Sequence, residues 1–116
     1  MVGPDDLLTS IDTQGDEVVV TVQGEVDLVS SPELRRVLEE ALTRSPRIRV
    51  DLAGLTFIDS SGLSALVEAH RNARDAGGVM VLANPTSMFT RLLDITKLDS
   101  LLVIEASDAA PAVDGE

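Results

Sequence analysis

The sequence predicts an α/β domain, a mixed β-sheet of about five strands opened by a hairpin, with helices packed on it. Two period-two apolar segments open the chain across a turn-rich tetrapeptide, and strand-like and helix-like segments alternate after them. Hydrophobic residues make up 44% of the 116, enough for one packed core and too many for a disordered chain.

The elements follow in order. Leu7 to Asp12 and Glu17 to Gln23 flank Thr13-Gln14-Gly15-Asp16 and read as a hairpin. In the second strand Val18, Val20 and Val22 share one face. Ser31-Pro32-Glu33 is a helix start, with Ser31 as N-cap and Pro32 at the first helical position. Leu34, Val37, Leu38, Ala41 and Leu42 continue it at helical spacing until Pro46. Ile48 to Leu52 suits a central strand, and a loop from Ala53 to Ile58 leads to Asp59-Ser60-Ser61-Gly62. The next helix carries Leu63, Leu66, Val67, His70 and Ala73 on one face and stops at Gly77-Gly78. Val79 to Ala83 is a buried strand. Asn84-Pro85 begins a helix with Met88, Phe89, Leu92 and Leu93 inward, and Leu101 to Ile104 is the last strand.

Charge narrows the function classes. With 20 acids against 9 bases the net charge is −11, which argues against nucleic acid and against an anionic membrane as partners. The balance is uneven: residues 1–34 hold eight acids and no base, and five acids and no base follow Lys97. The absence of Cys excludes disulfides, thiolate metal sites and Cys nucleophiles. No apolar run approaches a membrane span, and Met1 to Leu8 lacks the features of a signal peptide, so a cytoplasmic protein is expected.

Asp59, Ser60, Ser61 and His70 suggest a serine hydrolase, but spacing opposes it. Ser60 opens the helix that carries His70 ten residues on, roughly 15 Å along the axis and beyond hydrogen-bond reach. His70 is the only histidine, and its position suits the edge of a core face. Asp27, Asp51 and Asp59 form no recognisable metal loop, and there is neither a P-loop nor a dinucleotide fingerprint. No catalytic set, metal or cofactor is therefore expected.

Two readings remain for Asp59-Ser60-Ser61-Gly62. These residue types cap helices, which alone explains them. Alternatively, a hydroxyl here is a phosphorylation site. A phosphoryl group adds about −1.5 to −2 charges at a helix N-terminus, where free N–H groups and the dipole tolerate an anion. The fold would survive, and a partner packed on that spot would be lost.

Gly24-Glu25-Val26-Asp27, Leu55-Thr56-Phe57-Ile58-Asp59-Ser60-Ser61-Gly62-Leu63 and Arg91-Leu92-Leu93-Asp94-Ile95-Thr96 together resemble the bacterial anti-sigma factor antagonists, single STAS domains. The resemblance covers about residues 5–105 and implies a STAS fold for one domain, 1–116, with 106–116 a short or frayed tail, at most briefly helical from Ser107. It implies partner switching: the unphosphorylated chain binds an anti-sigma factor that is also a serine kinase, which frees the sigma factor. Phosphorylation ends the binding, and a metal-dependent serine phosphatase restores it.

The same resemblance puts the modified hydroxyl on Ser60, with Ser61 as runner-up, and the partner-binding residues at Asp27, Asp59, Ser61 and Gly62. Asp59 would position the Ser60 hydroxyl in the kinase. Asp27 is expected beside it in an exposed loop, with a docking role and little share in stability. Gly62 is expected at a tight entry into the helix, where a positive φ would require glycine. The chain then acts as substrate and binding module, not as an enzyme. A second reading within the family is a sensor or scaffold subunit that binds a nucleotide or small ligand without the switch. Lys97 departs from the pattern, standing where glycine is common, and so does the short acidic C-terminal stretch.

Overall fold

A computed structural model describes residues 7–105. The chain forms one five-stranded sheet in the order β1-β2-β3-β4-β5. Strands β1 (Leu7–Gln14) and β2 (Glu17–Val26) pair antiparallel, with Gln14 opposite Glu17 across the turn. Strands β3 (Arg47–Ile58), β4 (Val79–Ala83) and β5 (Val103–Ile104) then add in turn, each parallel to its predecessor.

Each parallel step requires a crossover, supplied by α1 (Ser31–Arg44), α2 (Ser60–Asp75) and α3 (Ser87–Thr96). All three steps move the same way across the sheet, so right-handed connections stack the helices on one face. The burial pattern agrees. Val18, Val20, Val22, Ile48, Val50, Leu52, Met80 and Leu82 are buried, while the alternate residues Val19, Thr21, Arg49, Asp51, Val79 and Val81 are half-buried. On that second face Arg49 lies between Glu17, at 3.4 Å, and Glu105 beyond β5, tying three strands together.

Several boundaries differ from the sequence expectation, each for a local reason. The segment from Ala53 to Ile58 is strand rather than loop. It pairs with the end of β2, Gly24 opposite Leu55 and Val26 opposite Ile58, through two register irregularities that break the period-two pattern. The N-cap of α1 is Ser30; Ser31 is the first helical residue and is buried. Asn84 turns the chain with φ +54°, so α3 begins only at Ser87, capped by Thr86, whose hydroxyl accepts the Phe89 N–H at 3.2 Å. Asp99–Leu101 form a 3-10 turn, which shortens β5 to two residues. The expected short tail helix lies outside the described residues.

Two helix ends show how backbone geometry is met. Gly77, φ +88°, ends α2 at little conformational cost, as its position after the last apolar residue suggested. Lys97 ends α3 in the same left-handed region, φ 64°, with its N–H on the Asp94 carbonyl. The turn that a glycine would make is kept, and a lysine holds it.

Candidate functional site

Strands β2 and β3 are neighbours and end together, Val26 opposite Ile58, so the loops leaving them lie side by side. The Asp59 N–H donates to the Val26 carbonyl at 3.1 Å, joining the two junctions directly. Asp27, Asp59, Ser60, Ser61 and Gly62 thus gather at one end of the sheet, where α1 and α2 begin. Asp51 is not among them: its Oδ1 accepts from the Ala53 N–H at 3.0 Å and from Asn84 Nδ2 at 3.1 Å. The described residues hold no group of three or more His, Cys, Asp or Glu fit for a metal ion.

Asp59 caps α2. Its Oδ1 accepts the Ser61 N–H at 2.9 Å, the Gly62 N–H at 3.2 Å and the Ser61 hydroxyl at 2.5 Å. These donors hold its carboxyl below the ordinary value of 3.8, the Ser61 hydroxyl foremost; partial burial opposes the shift, and the N–H groups of Gly62, Ser61 and Leu28 add to it. Leu28 belongs to the Asp27 loop across the junction, so that loop lies close to the Asp59 carboxylate.

Asp27 has a structural duty that the sequence reading missed. Its Oδ1 accepts the N–H groups of Val29 and Ser30 at 3.0 Å each, and the Ser30 hydroxyl lies 3.1 Å away. That hydroxyl also accepts the Asp27 N–H at 2.9 Å. The loop is thus folded around the carboxylate, an Asx-type arrangement that the pairing of Asp27 with a serine three residues on can suggest.

The two serines differ. Ser61 is half-buried, with its hydroxyl committed to Asp59. Ser60 is exposed at the first position of α2, and its hydroxyl makes no hydrogen bond among the described residues. Gly62 is buried, and its φ is not positive, which corrects the expected reason for a glycine. A Cβ there would stand 2.6 Å from Val26 Cγ1 and 2.6 Å from Ile58 Cγ1. The absence of a side chain lets the first turn of α2 press onto the ends of β2 and β3. Gly62 thus lies beneath this end, against Val26 and Ile58.

Three large apolar side chains border this end and are exposed: Leu28 at 76%, Val29 at 81% and Phe57 at 46%. The sequence reading passed over them because hydrophobic residues near strands read as core. For Leu28 and Val29, their lack of periodic partners between β2 and α1 was the available signal. Exposed apolar side chains near one end of a chain with net charge −11 are a candidate for a contact surface. His70 is 8% exposed on the C-terminal half of the same helix that opens with Ser60, away from both serines, as the rejection of a hydrolase required.

No described helix is long and apolar enough to cross a membrane. Known proteins complete the picture. The STAS domain family matches the chain over residues 9–110. An anti-sigma-B factor antagonist of Bacillus subtilis is 31% identical over 90 residues, 78% of this chain and 83% of that protein. Among solved structures, an anti-sigma factor antagonist from Mycobacterium paratuberculosis superposes with a TM-score of 0.79 at 25% identity, covering 97% of this chain and 98% of that one. The phosphorylated form of the Bacillus cell fate determinant SpoIIAA shares the fold, with a TM-score of 0.66 at 19% identity over 90% of this chain and 97% of that one.

Proposed function

Because the chain belongs to the STAS domain family of bacterial anti-sigma factor antagonists, we propose that it is a partner-switching antagonist controlled at Ser60. In its unphosphorylated form it binds an anti-sigma factor that is also a serine kinase, and the sigma factor is released. The kinase transfers a phosphoryl group from ATP to the Ser60 oxygen, and the complex parts. A metal-dependent serine phosphatase resets the chain. The kinase brings nucleotide, metal and catalysis; this chain brings a hydroxyl and a surface, and acts in the cytoplasm with its partners.

The observation that carries this reading is the contrast between neighbours: Ser60 is exposed and its hydroxyl makes no hydrogen bond among the described residues, whereas Ser61 is spent on the Asp59 cap. A kinase can reach the first without opening the helix. The consequence of modification follows from the surroundings. A phosphoryl group adds about −1.5 to −2 charges next to the Asp59 carboxylate and beside exposed Leu28, Val29 and Phe57. A partner that covers those apolar side chains would have to bury the new charge unpaired, at a cost of several kcal/mol. The core beneath is untouched. Asp27 and Asp59 hold the surface in shape, and Gly62 lets its two halves approach.

The test is direct. The purified chain is incubated with its kinase partner and ATP and its mass followed, for the wild type, Ser60→Ala and Ser61→Ala. A single phosphoryl group on the wild type and on Ser61→Ala, with none on Ser60→Ala, is expected. A wild-type mass that never changes would favour the sensor or scaffold reading.

A further inference from the structure

We propose that Ser30 is a positioning residue for partner binding, its hydroxyl holding the loop that presents Leu28 and Val29. The proposal rests on the reading that this end of the sheet meets a partner, and adds how the meeting surface keeps its shape.

Ser30 is a helix cap that does not cap. Asp59 accepts N–H groups from the first turn of α2, and Thr86 accepts that of Phe89 in α3. Ser30 holds the same position before α1 and is of the same class of capping residue, yet its side chain makes no hydrogen bond to the helix. The helix leaves it no donor. The Ser31 N–H goes to the Asp27 carbonyl at 2.7 Å, and Pro32 has none. The N–H groups of Glu33 and Leu34 reach the Ser30 carbonyl at 3.0 and 3.3 Å.

The hydroxyl is turned back into the loop instead. It accepts the Asp27 N–H at 2.9 Å, and its single proton is shared between the Glu25 carbonyl and the Asp27 carboxylate, each 3.1 Å away. That carboxylate in turn accepts the N–H groups of Val29 and Ser30 at 3.0 Å each. The Leu28 N–H is near enough to the Asp59 carboxylate to help hold its pKa down. Every N–H from Asp27 to Ser31 thus has an acceptor within the chain, and none depends on water.

Two adjacent aliphatic side chains stand on this closed frame, 76% and 81% exposed. A loop fixed in this way is preorganised for contact, because the ordering that binding would otherwise require is completed on folding. Such a tip fits an apolar pocket on the partner. Ser30 acts on that contact through the Asp27 carboxylate and the loop backbone.

The test is a thermodynamic cycle, read by calorimetric titration of the full chain against the anti-sigma factor kinase used in the phosphorylation experiment. Ser30→Ala is expected to weaken binding about three- to tenfold, and Ser30→Thr, which keeps the hydroxyl, to restore it. On a Leu28→Ser/Val29→Ser background the same Ser30→Ala change should have little effect, because the side chains it positions are gone. In the free chain, NMR backbone order parameters at Leu28 and Val29 should fall from about 0.85 towards about 0.6 in Ser30→Ala. The proposal alone is overturned if the wild type binds and Ser60→Glu does not, while Ser30→Ala matches the wild type, loses the same factor on both backgrounds, or leaves the order parameters unchanged. A wild type that does not bind the kinase overturns the proposed function, and this proposal with it.

Discussion

The Ser61 hydroxyl donates to the Asp59 carboxylate at 2.5 Å, while the hydroxyl of Ser60, one residue earlier, is exposed and makes no hydrogen bond among the described residues. Two adjacent and chemically identical side chains are thereby given different work. One closes the first turn of α2 and the other faces solvent.

Removing the Ser61 hydroxyl should therefore cost stability rather than signalling. Ser61→Ala is expected to lose about 1 kcal/mol in denaturant unfolding and to remain a kinase substrate. Ser60→Ala should match the wild type in stability and bind the partner, whereas Ser60→Glu should bind much more weakly. Calorimetric titration against the partner distinguishes these. Equal affinity of Ser60→Ala and Ser60→Glu would sink the switch.

Asp59 links stability to pH. Its carboxyl titrates below the ordinary value of 3.8, so the folded state holds the ionised form more strongly than the unfolded chain does. Its contribution is present above the unfolded value and is lost as pH falls through the depressed folded value. Asp59→Ala should cost about 1–2 kcal/mol at neutral pH. Below pH 4 the gap between variant and wild type should narrow. Thermal melts across pH 2.5 to 7 check this; a gap that stays constant throughout would assign the loss to something other than the ionised cap.

Gly62→Ala should be destabilising although alanine favours helices, because its Cβ would meet Val26 and Ile58 side chains at 2.6 Å. A cost of about 1–3 kcal/mol is expected from overpacking, larger for Gly62→Val. A double variant with Val26→Ala, which clears the Val26 Cγ1 methyl but leaves Ile58 in place, should regain part of the loss caused by Gly62→Ala. Additive losses in unfolding experiments would argue against the steric account.

Lys97 predicts an effect of the opposite sign. A residue with a side chain in the left-handed region costs roughly 1–2 kcal/mol relative to ordinary helical geometry, and glycine avoids most of it. Lys97→Gly should raise stability by about 0.5–1 kcal/mol after the added freedom of the unfolded glycine is counted. A lowered melting temperature would mean that the Lys97 side chain makes a compensating contact.

Leu28 and Val29 offer the cleanest separation of binding from folding. Both are largely exposed, so Leu28→Ser and Val29→Ser should leave the melting temperature nearly unchanged. Partner affinity should fall by about tenfold or more if these side chains sit at the centre of the contact.

The alternation of apolar periods made the sheet and helices legible, and Asp59 to Gly62 was legible because helix caps draw on few residue types. What stayed hidden was non-local. The strand character of Ala53 to Ile58 depends on β2 beside it, through a register that shifts twice. The need for glycine at position 62 depends on Val26 and Ile58, which local backbone reasoning cannot see. Asp27 is the exception, since its hydrogen bonds to Val29 and Ser30 are local, and a reading that looked only for docking left them out. Exposed Leu28, Val29 and Phe57 were invisible to any rule that assigns hydrophobic residues to the interior.

The hydrogen bond from the Asp59 amide to the Val26 carbonyl spans thirty-three positions of sequence. This end of the sheet consequently exists only once β2 and β3 have paired through to Val26 and Ile58, a contact between residues far apart in sequence. A nascent or half-folded copy carries Ser60 but not the surface around it. On the proposed function such copies would not engage the partner, and signal strength would follow the number of completed molecules rather than the number synthesised.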